Sequence, residues 1–344
     1  MIEIDGSVGV GGGQIVRTAL ALSVATQRPI HFSNVRAKRS EPGLRPQHVT
    51  AVEAAAAIGE ADVSSIEEGV SEFTFSPTSI VPGRYTFDVG TAGSAILVLQ
   101  TILPPLMTAD GPSTVSVTGG THAKFAPTYE FFATAFVPLV ERMGPVLHTS
   151  LDRYGFYPRG GGMCTLEVTP ADPVRPLRLT DRGRPLRRRL RAIVANLPDH
   201  IAEREIATVQ EGLSDELDDT RIDRPPSASA GNAVILELVY ENLTEVIAAI
   251  GEKGVRAEAV AMGLVDEARR YLDHDAPVGP YLADQLLLPL ALGGGAIRAT
   301  TLTAHTHTNA AIIEEIVGER FSVTEAGSGW RIAVDDPVAT GPHP

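Results

Sequence analysis

The order of a strand, a glycine-rich turn and a helix recurs along this chain, and the recurrence constrains the fold more than any other feature. Two copies start with a strand, and a third begins at Gly279 with a helix, a glycine turn, a strand, a histidine-containing loop and another helix. The copies comprise residues 2–4, 6–13 and 14–26, then 85–89, 90–94 and 95–107, then 281–292, 293–295, 297–302, 303–309 and 310–317. Three such units predict similar α/β modules around a pseudo-threefold axis, whose corresponding loops converge. The predicted fold class is α/β, with α+β character.

A long insertion in the third module, which precedes Gly279, has strand-like and helix-like stretches of its own. Its predicted strands and helices are residues 191–195, 233–240, 201–217 and 255–272. We expect a small inserted αβ domain at 187–271 and a core formed by residues 1–186 and 272–338. Residues 339–344 are polar and rich in proline and glycine, so they predict a disordered tail.

Composition places the chain among globular proteins. Its 344 residues are 43% hydrophobic and 21% charged, enough for a core larger than that of one simple sandwich. The N-terminus lacks a secretory signal and no apolar run reaches membrane-spanning length, so we expect a cytoplasmic protein without a membrane partner. The single cysteine, Cys164, excludes a disulfide within the chain and fits an apolar core strand.

The charge pattern limits nucleic-acid binding to a local site. The chain has 29 Lys and Arg against 42 Asp and Glu, a net charge of −13, which argues against general coating of nucleic acid. Only Lys38, Lys124 and Lys253 are lysines. Nearly all positive charge therefore lies on arginine, the side chain suited to bidentate phosphate contacts.

Two histidines, His305 and His307, lie in the loop between a predicted strand and a predicted helix. Thr308 and Asn309 favour the N-cap of the helix at 310–317, whose free N–H groups attract anions. A histidine beside an anion site is suited to act as a nucleophile or an acid–base group. On an extended segment both histidines would point to the same side. The alternative interpretation is a polar turn at a sheet edge.

Other residues allow a structural interpretation beside a functional one. His122 fits a polar turn better than a ligand, and His48 fits a structural hydrogen bond inside a helix. The arginines between residues 182 and 191 suit either an RNA backbone or a solvated linker. Three neighbouring aromatic residues suit either base stacking or core packing, namely Tyr154, Phe156 and Tyr157.

Six ordered motifs together resemble the RNA 3′-terminal phosphate cyclase family, from Met1 to about Val334. The motifs are Asp5-Gly6 with Gly11-Gly12-Gly13-Gln14-Ile15-Val16-Arg17; Arg36-Ala37-Lys38-Arg39 with Pro42-Gly43-Leu44 and Gln47-His48; Gly155-Phe156-Tyr157-Pro158-Arg159-Gly160-Gly161-Gly162; Ala202-Glu203-Arg204-Glu205-Ile206; Tyr281-Leu282-Ala283-Asp284-Gln285; and His305 with Thr308-Asn309. Six motifs in order are far more specific than any one of them.

The resemblance implies three βαβαββ modules, each similar to the C-terminal domain of translation initiation factor three, plus the inserted domain. It also implies an RNA 3′-terminal-phosphate cyclase (ATP), a ligase of RNA processing that forms a phosphoric ester bond. In that family a histidine attacks the α-phosphate of ATP, AMP passes to the RNA 3′-phosphate, and the 2′-hydroxyl displaces AMP to leave a 2′,3′-cyclic phosphate. The implied partners are ATP and RNA with a 3′-phosphate end, and the oligomeric state stays open.

The family pattern places the adenylylated histidine at His305. The residues that resemble phosphate and nucleotide contacts are Arg17, Arg36, Arg39, Gln47, Gln100, Pro127, Phe131, Tyr281, Asp284 and Gln285. A divalent ion, magnesium or manganese, would assist by bridging phosphates. The glutamate usual in the family before the three glycines is Val10 here, so we expect no protein metal ligand and an ion bound mainly through the nucleotide. The usual basic residue before Gly155 is Tyr154.

Two alternatives stand beside this hypothesis. Non-catalytic relatives that bind RNA in ribosome assembly share the architecture but lack the histidine pattern, so His305 is the discriminating residue. A dinucleotide-binding oxidoreductase fits poorly, because Gln14 stands where the third glycine of the motif belongs. The strand that follows also ends at Arg36 in place of an acid that would bind a ribose.

Overall fold

The computed structural model describes residues 1–213 and 217–339. Its strands are β1 (Ile2–Asp5), β2 (Ile30–Ser33), β3 (Asp62–Val63), β4 (Phe73–Ser76), β5 (Arg84–Asp88), β6 (Ser113–Gly119), β7 (Val146–Arg153), β8 (Gly162–Thr169), β9 (Leu177–Leu179), β10 (Pro185–Ala195), β11 (Asp219–Asp223), β12 (Gly231–Tyr240), β13 (Thr244–Ile250), β14 (Gly295–Ala299), β15 (Ser322–Ala326) and β16 (Gly329–Val334). Its helices are α1 (Gly13–Thr26), α2 (Pro46–Gly59), α3 (Ala95–Leu106), α4 (Val137–Glu141), α5 (His200–Gly212), α6 (Ala257–Leu272), α7 (Pro280–Gly293) and α8 (Ala304–Val317). A π-helical segment, Phe131–Phe136, runs directly into α4.

The strands form four four-stranded sheets, and three of the sheets share one plan. Taken in chain order, their strands lie first, second, fourth, third, as β1-β2-β4-β3, β5-β6-β8-β7 and β9-β14-β16-β15. In each of these sheets the first two strands are parallel and the other neighbours antiparallel. The fourth sheet, β11-β10-β12-β13, has a different order and is packed against α5 and α6. Mixed sheets covered by helices confirm the predicted α/β class.

The helices of the three similar sheets pack on one another and bury an extensive apolar core. α1 contacts α2, α3 and α8, and α7 contacts α8. Every residue of α3 is buried, and α1 buries Ile15, Leu20, Leu22 and Val24 as the sequence predicts. Cys164 is buried as expected, and burial raises the pKa of its thiol. None of the helices in residues 1–213 and 217–339 has the length and apolar character needed to cross a membrane.

Helix α8 begins six residues before the predicted start at 310, so Thr308 and Asn309 are not N-cap residues. The N-cap is Thr303, whose Oγ1 accepts from the backbone N–H of Thr306 at 3.1 Å. Thr306 Oγ1 in turn accepts from the backbone N–H of Thr303 at 3.2 Å. This reciprocal capping box satisfies two free N–H groups and starts the helix before the histidines.

Three further differences concern element bounds. The predicted helix at 127–143 is replaced by the π-helical segment and short α4. The fourth sheet starts at Pro185, two residues before the predicted boundary of the insertion, and α5 ends at Gly212. Of the predicted disordered tail, 339–344, all but Ala339 lies outside the described residues.

A chain of hydrogen bonds and ion pairs joins the second sheet to the fourth, and it buries His122 in the loop after β6, where the sequence predicts a polar turn residue. His122 Nε2 lies 2.8 Å from Glu130 Oε2, and the ring stacks on Tyr154 at 5.2 Å between centroids. Glu130 Oε1 accepts from Arg191 at 3.1 Å, and Arg191 also donates to Asp223 at 2.7 Å. Charges this deeply buried persist because each one has a partner.

Glu245 of β13 connects the fourth sheet to the start of α7. Its Oε2 accepts from the backbone N–H of Gly279, the N-cap of α7, at 2.9 Å. Burial, with repulsion from Glu267, raises the pKa of Glu245 from 4.5 to about 8, against the opposing effects of the Gly279 N–H and Arg182. The carboxyl is therefore more easily protonated in the folded state than in the unfolded state.

This raised pKa predicts that the free energy of unfolding falls as the pH rises. The contribution of Glu245 is fully present below pH 4.5 and is lost as the pH rises toward 8. Glu245→Gln keeps an oxygen for Gly279 and cannot ionise, so it should raise the free energy of unfolding at pH 9 by on the order of 1 to 3 kcal/mol relative to wild type, and by much less at pH 5. Urea unfolding at both pH values measures the effect, with the exposed Glu53→Gln on α2 as control. An equal effect at both pH values would contradict the assignment.

Candidate active site

The turn between β1 and α1 is tightly packed because glycines occupy its points of closest approach. Gly9 has φ +52°, and a Cβ there would lie 2.1 Å from Oγ1 of Thr308. The backbone N–H of Val10 donates to the same hydroxyl at 3.3 Å. A Cβ on Gly13 would lie 2.0 Å from Nε2 of His48. The turn therefore contacts α8 on one side and α2 on the other.

Three helices are joined by a largely buried chain of hydrogen bonds centred on Asp284 of α7. Gln14 of α1 donates its amide to both carboxylate oxygens, at 2.6 and 2.8 Å. Asn309 of α8 donates to Oδ1 at 3.2 Å and to the Asp284 carbonyl at 3.0 Å. Thr18 donates to Oδ1 of Asn309 at 2.6 Å. At the exposed end of the chain, Gln14 Oε1 lies 2.9 Å from Nδ1 of His305.

This chain determines how His305 presents its ring. The amide nitrogen of Gln14 lies 2.6 and 2.8 Å from the two carboxylate oxygens of Asp284, which accept from it, so Gln14 faces Asp284 with the NH₂ group. The carbonyl oxygen of Gln14 then faces His305, and that oxygen can only accept. A neutral His305 therefore carries its proton on Nδ1, which leaves the lone pair on Nε2. His305 is exposed, so the ring is accessible to a ligand.

Burial and charge act in opposite directions around Asp284. Burial raises the pKa of Asp284, while the hydrogen bonds from Gln14 and Asn309 and the charge of Arg17 oppose the rise. Burial lowers the pKa of Arg17 to about 10, and attraction to Asp284 opposes that change. Arg17 is still protonated at neutral pH, so it places a partly buried positive charge in the site.

His305 and His307 do not point to the same side, because both lie in the first turn of α8 and not on an extended segment. Successive residues of an α-helix are rotated by about 100°, so residues two apart point in nearly opposite directions. The prediction that the two histidines share a side is wrong. Of the two, His305 is hydrogen-bonded to Gln14.

Three predicted nucleotide contacts come together in an open pocket near α1, α3 and α7. The pocket has about 440 Å³ of empty space, part of which merges with solvent. Arg17, Gln100 and Gln285 line it, together with Gln14 and Asn309. The Gln100 amide is buried, and within the described residues neither its oxygen nor its nitrogen has a hydrogen-bond partner. An unpaired buried amide is costly, and a ligand that hydrogen-bonds to it would remove that cost.

Three other predicted contacts lie near the glycine turn and outside the pocket lining. A Cβ on Gly12 would lie 2.8 Å from Nη2 of Arg39, so this guanidinium rests on the turn. Gln47 Oε1 accepts from the backbone N–H of Ser94, the N-cap of α3, at 2.8 Å. Arg36 donates to two backbone carbonyls of the loop that follows it, at 2.7 and 2.8 Å. In this structure Arg36 therefore holds its own loop.

The remaining predicted contacts are dispersed. Phe131 is buried in the π-helical segment, Tyr281 on α7 is 58% exposed, and Pro127 is partly buried in the loop after β6. None of the three is among the residues that line the pocket in the described part of the chain. The structure thus brings together His305, Arg17, Gln100, Asp284 and Gln285. Pro127, Phe131 and Tyr281 lie outside this group.

His48 is a site residue to which sequence reasoning gave only a structural role. Its Nδ1 accepts from the backbone N–H of Arg45 at 3.0 Å, as expected of a structural hydrogen bond. Burial, followed by repulsion from Arg17 and other arginines, lowers the pKa of His48 to about 3. The neutral ring carries its proton on Nε2, beside Gly13. The only sequence signal was its place in the second motif, because a histidine inside a helix looks the same in either role.

The acidic residues of the site do not form a metal centre. Within the described residues, no group of three or more His, Cys, Asp or Glu side chains could hold a metal ion. Asp284 already accepts from Gln14, from Asn309 and, at 3.2 Å, from Gln285. Val10 supplies no ligand oxygen from its side chain. The residues present therefore do not fit a metal ion held mainly by protein side chains.

The family model described as RNA 3′-terminal phosphate cyclase matches residues 8–323. The chain belongs to the RNA 3′-terminal phosphate cyclase family. Among relatives of this cyclase, the RNA 3′-terminal phosphate cyclase of Koribacter versatilis is 47% identical over 336 residues, which cover 97% of this chain and 95% of the relative. The one from Salmonella enteritidis is 45% identical over 337 residues, covering 98% and 99%. These findings confirm the family and the enzyme class predicted from the motifs, and they leave the oxidoreductase alternative without support.

Among solved structures, the enolpyruvyl transferase NikO from Streptomyces tendae is similar to this cyclase at 10% sequence identity and a TM-score of 0.37. The match covers 96% of this chain and 47% of that chain, so the cyclase spans about half its length. A similarity of this size carries no argument about the fold.

The close approach at Gly13 predicts a defect in nucleotide binding. In Gly13→Ala the new methyl group would meet His48 Nε2 and Arg17 Nη1, at 2.0 and 2.9 Å, so both side chains must move. We expect the affinity for ATP, the nucleotide that the family resemblance implies, to fall at least about tenfold, the effect of losing one charge-assisted contact. Isothermal titration calorimetry measures this affinity.

The matched control is Gly263 of α6, where an added Cβ meets nothing within 4 Å. Gly263→Ala should raise the free energy of unfolding by about 0.5–1 kcal/mol and leave ATP binding unchanged. Wild-type ATP affinity in Gly13→Ala would show that this part of the turn does not contact the nucleotide.

Proposed function

We propose that this cyclase converts the 3′-phosphate end of RNA into a 2′,3′-cyclic phosphate with ATP, through AMP bound covalently to His305. The observation that carries the proposal is the hydrogen bond from His305 Nδ1 to Gln14, which is itself oriented by Asp284. It leaves Nε2 as the ring atom with a free electron pair. A fixed tautomer with a lone pair aimed at a ligand is what nucleophilic catalysis by histidine requires.

The proposed reaction has three steps, which account for every bond that forms or breaks. His305 Nε2 attacks the α-phosphorus of ATP, so an N–P bond forms, the bond to the β-phosphate oxygen breaks, and pyrophosphate leaves. An oxygen of the RNA 3′-phosphate then attacks the same phosphorus and breaks the N–P bond, which returns the imidazole. Finally the 2′-hydroxyl oxygen attacks the phosphorus of the RNA 3′-phosphate, its proton passes to solvent, the bond from that phosphorus to the AMP oxygen breaks, and AMP leaves. The proton stays on His305 Nδ1 and is donated to Oε1 of Gln14 throughout, so His305 keeps its orientation.

Positive charge and backbone N–H groups near His305 support phosphate binding. Arg17 is partly buried and protonated, and its guanidinium lies at the start of α1 beside Gly13. The free N–H groups of the first turn of α1 follow the glycine turn, and no side chain caps them. A helix N-terminus after a glycine-rich turn favours phosphate oxygens. Arg39, close to Gly12, adds a second guanidinium at this turn.

The pocket beside His305 supports binding of the base and ribose of ATP. Its apolar lining includes Pro104, Phe136 and Leu288, and its amides include Gln100 and Gln285. An adenine offers both donors and acceptors, so it can satisfy the unpaired Gln100 amide. Pro127, Phe131 and Tyr281 lie outside this lining, so we assign them no contact with the base.

We propose that magnesium or manganese is held mainly by the phosphates of ATP. The ion would reduce the negative charge around the α-phosphorus. The hydrophobic side chain of Val10 and the absence of a carboxylate cluster in the described residues support this assignment. An ion bound in this way keeps most of its waters and needs few protein ligands.

We also propose that the three sheets of identical strand order represent three repeated modules similar to the C-terminal domain of translation initiation factor three. The shared order and pairing of those sheets support this interpretation. The fourth sheet, with α5 and α6, then corresponds to the inserted domain, and the cyclase acts on RNA in the cytoplasm.

The assignment of the nucleophile predicts different outcomes for the two neighbouring histidines. His305→Ala should abolish the label that α-labelled ATP leaves on the denatured protein, because no other imidazole is held by Gln14. His307→Ala is the matched control and should label like wild type, because its side chain points away on α8. Gel electrophoresis after acid-free denaturation measures the label.

If His307→Ala abolished the label and His305→Ala did not, His307 would be the nucleophile. A wild-type protein that takes up no label, binds RNA ending in a 3′-phosphate and leaves its end unchanged would favour the non-catalytic alternative.

A further inference from the structure

Residues 155–162 form a glycine-rich loop between β7 and β8. This loop is the third of the six family motifs. Its three aromatic and charged positions differ in exposure. Phe156 is buried, whereas Tyr157 is 79% exposed and Arg159 is also exposed. Within the described residues, the Arg159 guanidinium has no ion pair or hydrogen bond. An exposed aromatic ring and an unpaired arginine two residues apart therefore face solvent.

The loop is held in place by close backbone contacts with the loop that follows β5. A Cβ on Gly160 would lie 2.4 Å from the carbonyl oxygen of Thr91 and 2.9 Å from Cα of Ala92. On the other side, the backbone N–H of Arg159 donates to Oγ of Ser229 at 3.1 Å. Because both contacts involve the backbone, the side chains of Tyr157 and Arg159 stay available for a ligand.

A second exposed aromatic residue lies on a neighbouring loop. Phe125, which follows β6, is 93% exposed. Its loop is fixed to the first, since the backbone N–H of Thr121 donates to the carbonyl of Gly155 at 2.9 Å. Lys124 lies 4.9 Å from the centroid of the Phe125 ring, and its ammonium group is paired with Glu252.

A continuous path of contacts connects these loops to the site of His305. The loop after β5 ends at Ser94, whose backbone N–H is bound by Gln47 at 2.8 Å. Gln47 precedes His48, and His48 approaches Gly13 at the start of α1. Gly13 in turn precedes Gln14, the hydrogen-bond partner of His305. The loops that carry the exposed aromatic residues are therefore linked through this series of contacts to the glycine turn.

We propose that Tyr157 and Phe125 form a stacking platform for the RNA nucleotides that precede the 3′-terminal one, and that Arg159 binds a phosphate between them. The inference rests on the proposed function, because it presumes that the 3′ end lies at His305. Every base has an aromatic face, so a platform of this kind binds single-stranded RNA without reading its sequence. In a protein of net charge −13, an unpaired arginine beside exposed rings is a local attraction for a phosphodiester backbone.

Direct binding of RNA, without ATP, tests the platform separately from the chemistry. The probe is a 5′-fluorescein-labelled oligoribonucleotide with a 3′-phosphate, and fluorescence anisotropy gives its Kd. Tyr157→Ala should raise Kd about tenfold, the size expected for loss of one stacked base. Tyr157→Phe keeps the ring and should stay within about twofold of wild type. Val146→Ala, at an exposed apolar position of β7 (65% exposed), should not change Kd.

Two further measurements locate the contact. Arg159→Gln should reduce the slope of log K against log salt by about 0.7, the value for one phosphate contact with a single strand. A nucleoside 3′-phosphate should compete with the labelled RNA equally well for wild type and Tyr157→Ala, because it has no preceding nucleotide. An unchanged Kd for the oligoribonucleotide in Tyr157→Ala, or an unchanged salt slope in Arg159→Gln, would overturn the proposal.

The labelling of His305 by ATP distinguishes failure of this inference from failure of the proposed function. A wild-type protein that binds RNA through Tyr157 but takes up no label would refute the covalent mechanism and leave the platform standing. Normal labelling, with RNA binding that does not depend on Tyr157, would refute the platform and leave the covalent mechanism standing.

Discussion

The carboxylate of Asp284 is the constraint on which the rest of the site depends. It is buried on α7, far in sequence from Gln14 of α1, and it accepts from Gln14 on one side and from Asn309 of α8 on the other. A buried carboxylate is stable only with several donors, so the three helices must meet at this point. The orientation of Gln14, and through it the tautomer of His305, follows from the same requirement. One side chain therefore contributes both to how the three helices meet and to which ring nitrogen of His305 is left unprotonated.

The electrostatic environment of the site differs from that of the whole molecule. The chain has a net charge of −13, yet His48 lies among arginines that, together with burial, lower its pKa to about 3. Arg17 keeps its proton although burial lowers its pKa to about 10. A site with several arginines and few free carboxylates is suited to a polyphosphate, because the ligand supplies the missing negative charge. The same arrangement explains why a divalent cation bound to the nucleotide phosphates would need few ligands from the protein.

Sequence reasoning predicted most of the elements that carry apolar periodicity, such as α1 with its buried Leu20 and Leu22, and it located the family motifs. It placed the start of α8 incorrectly because Thr303, Thr308 and Asn309 are all good N-cap residues, and only the reciprocal pair of Thr303 and Thr306 decides among them. It could not foresee the contact of Gln14 with Asp284, because the two residues are 270 positions apart and neither has a local signal for the other. The burial of His122 was missed because its partner Glu130 is itself held by Arg191 of β10, which is 61 positions away in the sequence.

The central claim, that Asp284 and Gln14 hold His305 with its proton on Nδ1, can be measured directly in the protein without ligands. Selective ¹⁵N labelling of the nine histidines, with His305→Gln to assign the signal, reports which ring nitrogen carries the proton in two-dimensional NMR. For His305 at a pH where the ring is neutral, the account predicts a protonated Nδ1 and an unprotonated Nε2, and a loss of this preference in Gln14→Leu. A His305 ring with the proton on Nε2, or the same tautomer preference in Gln14→Leu, would contradict it.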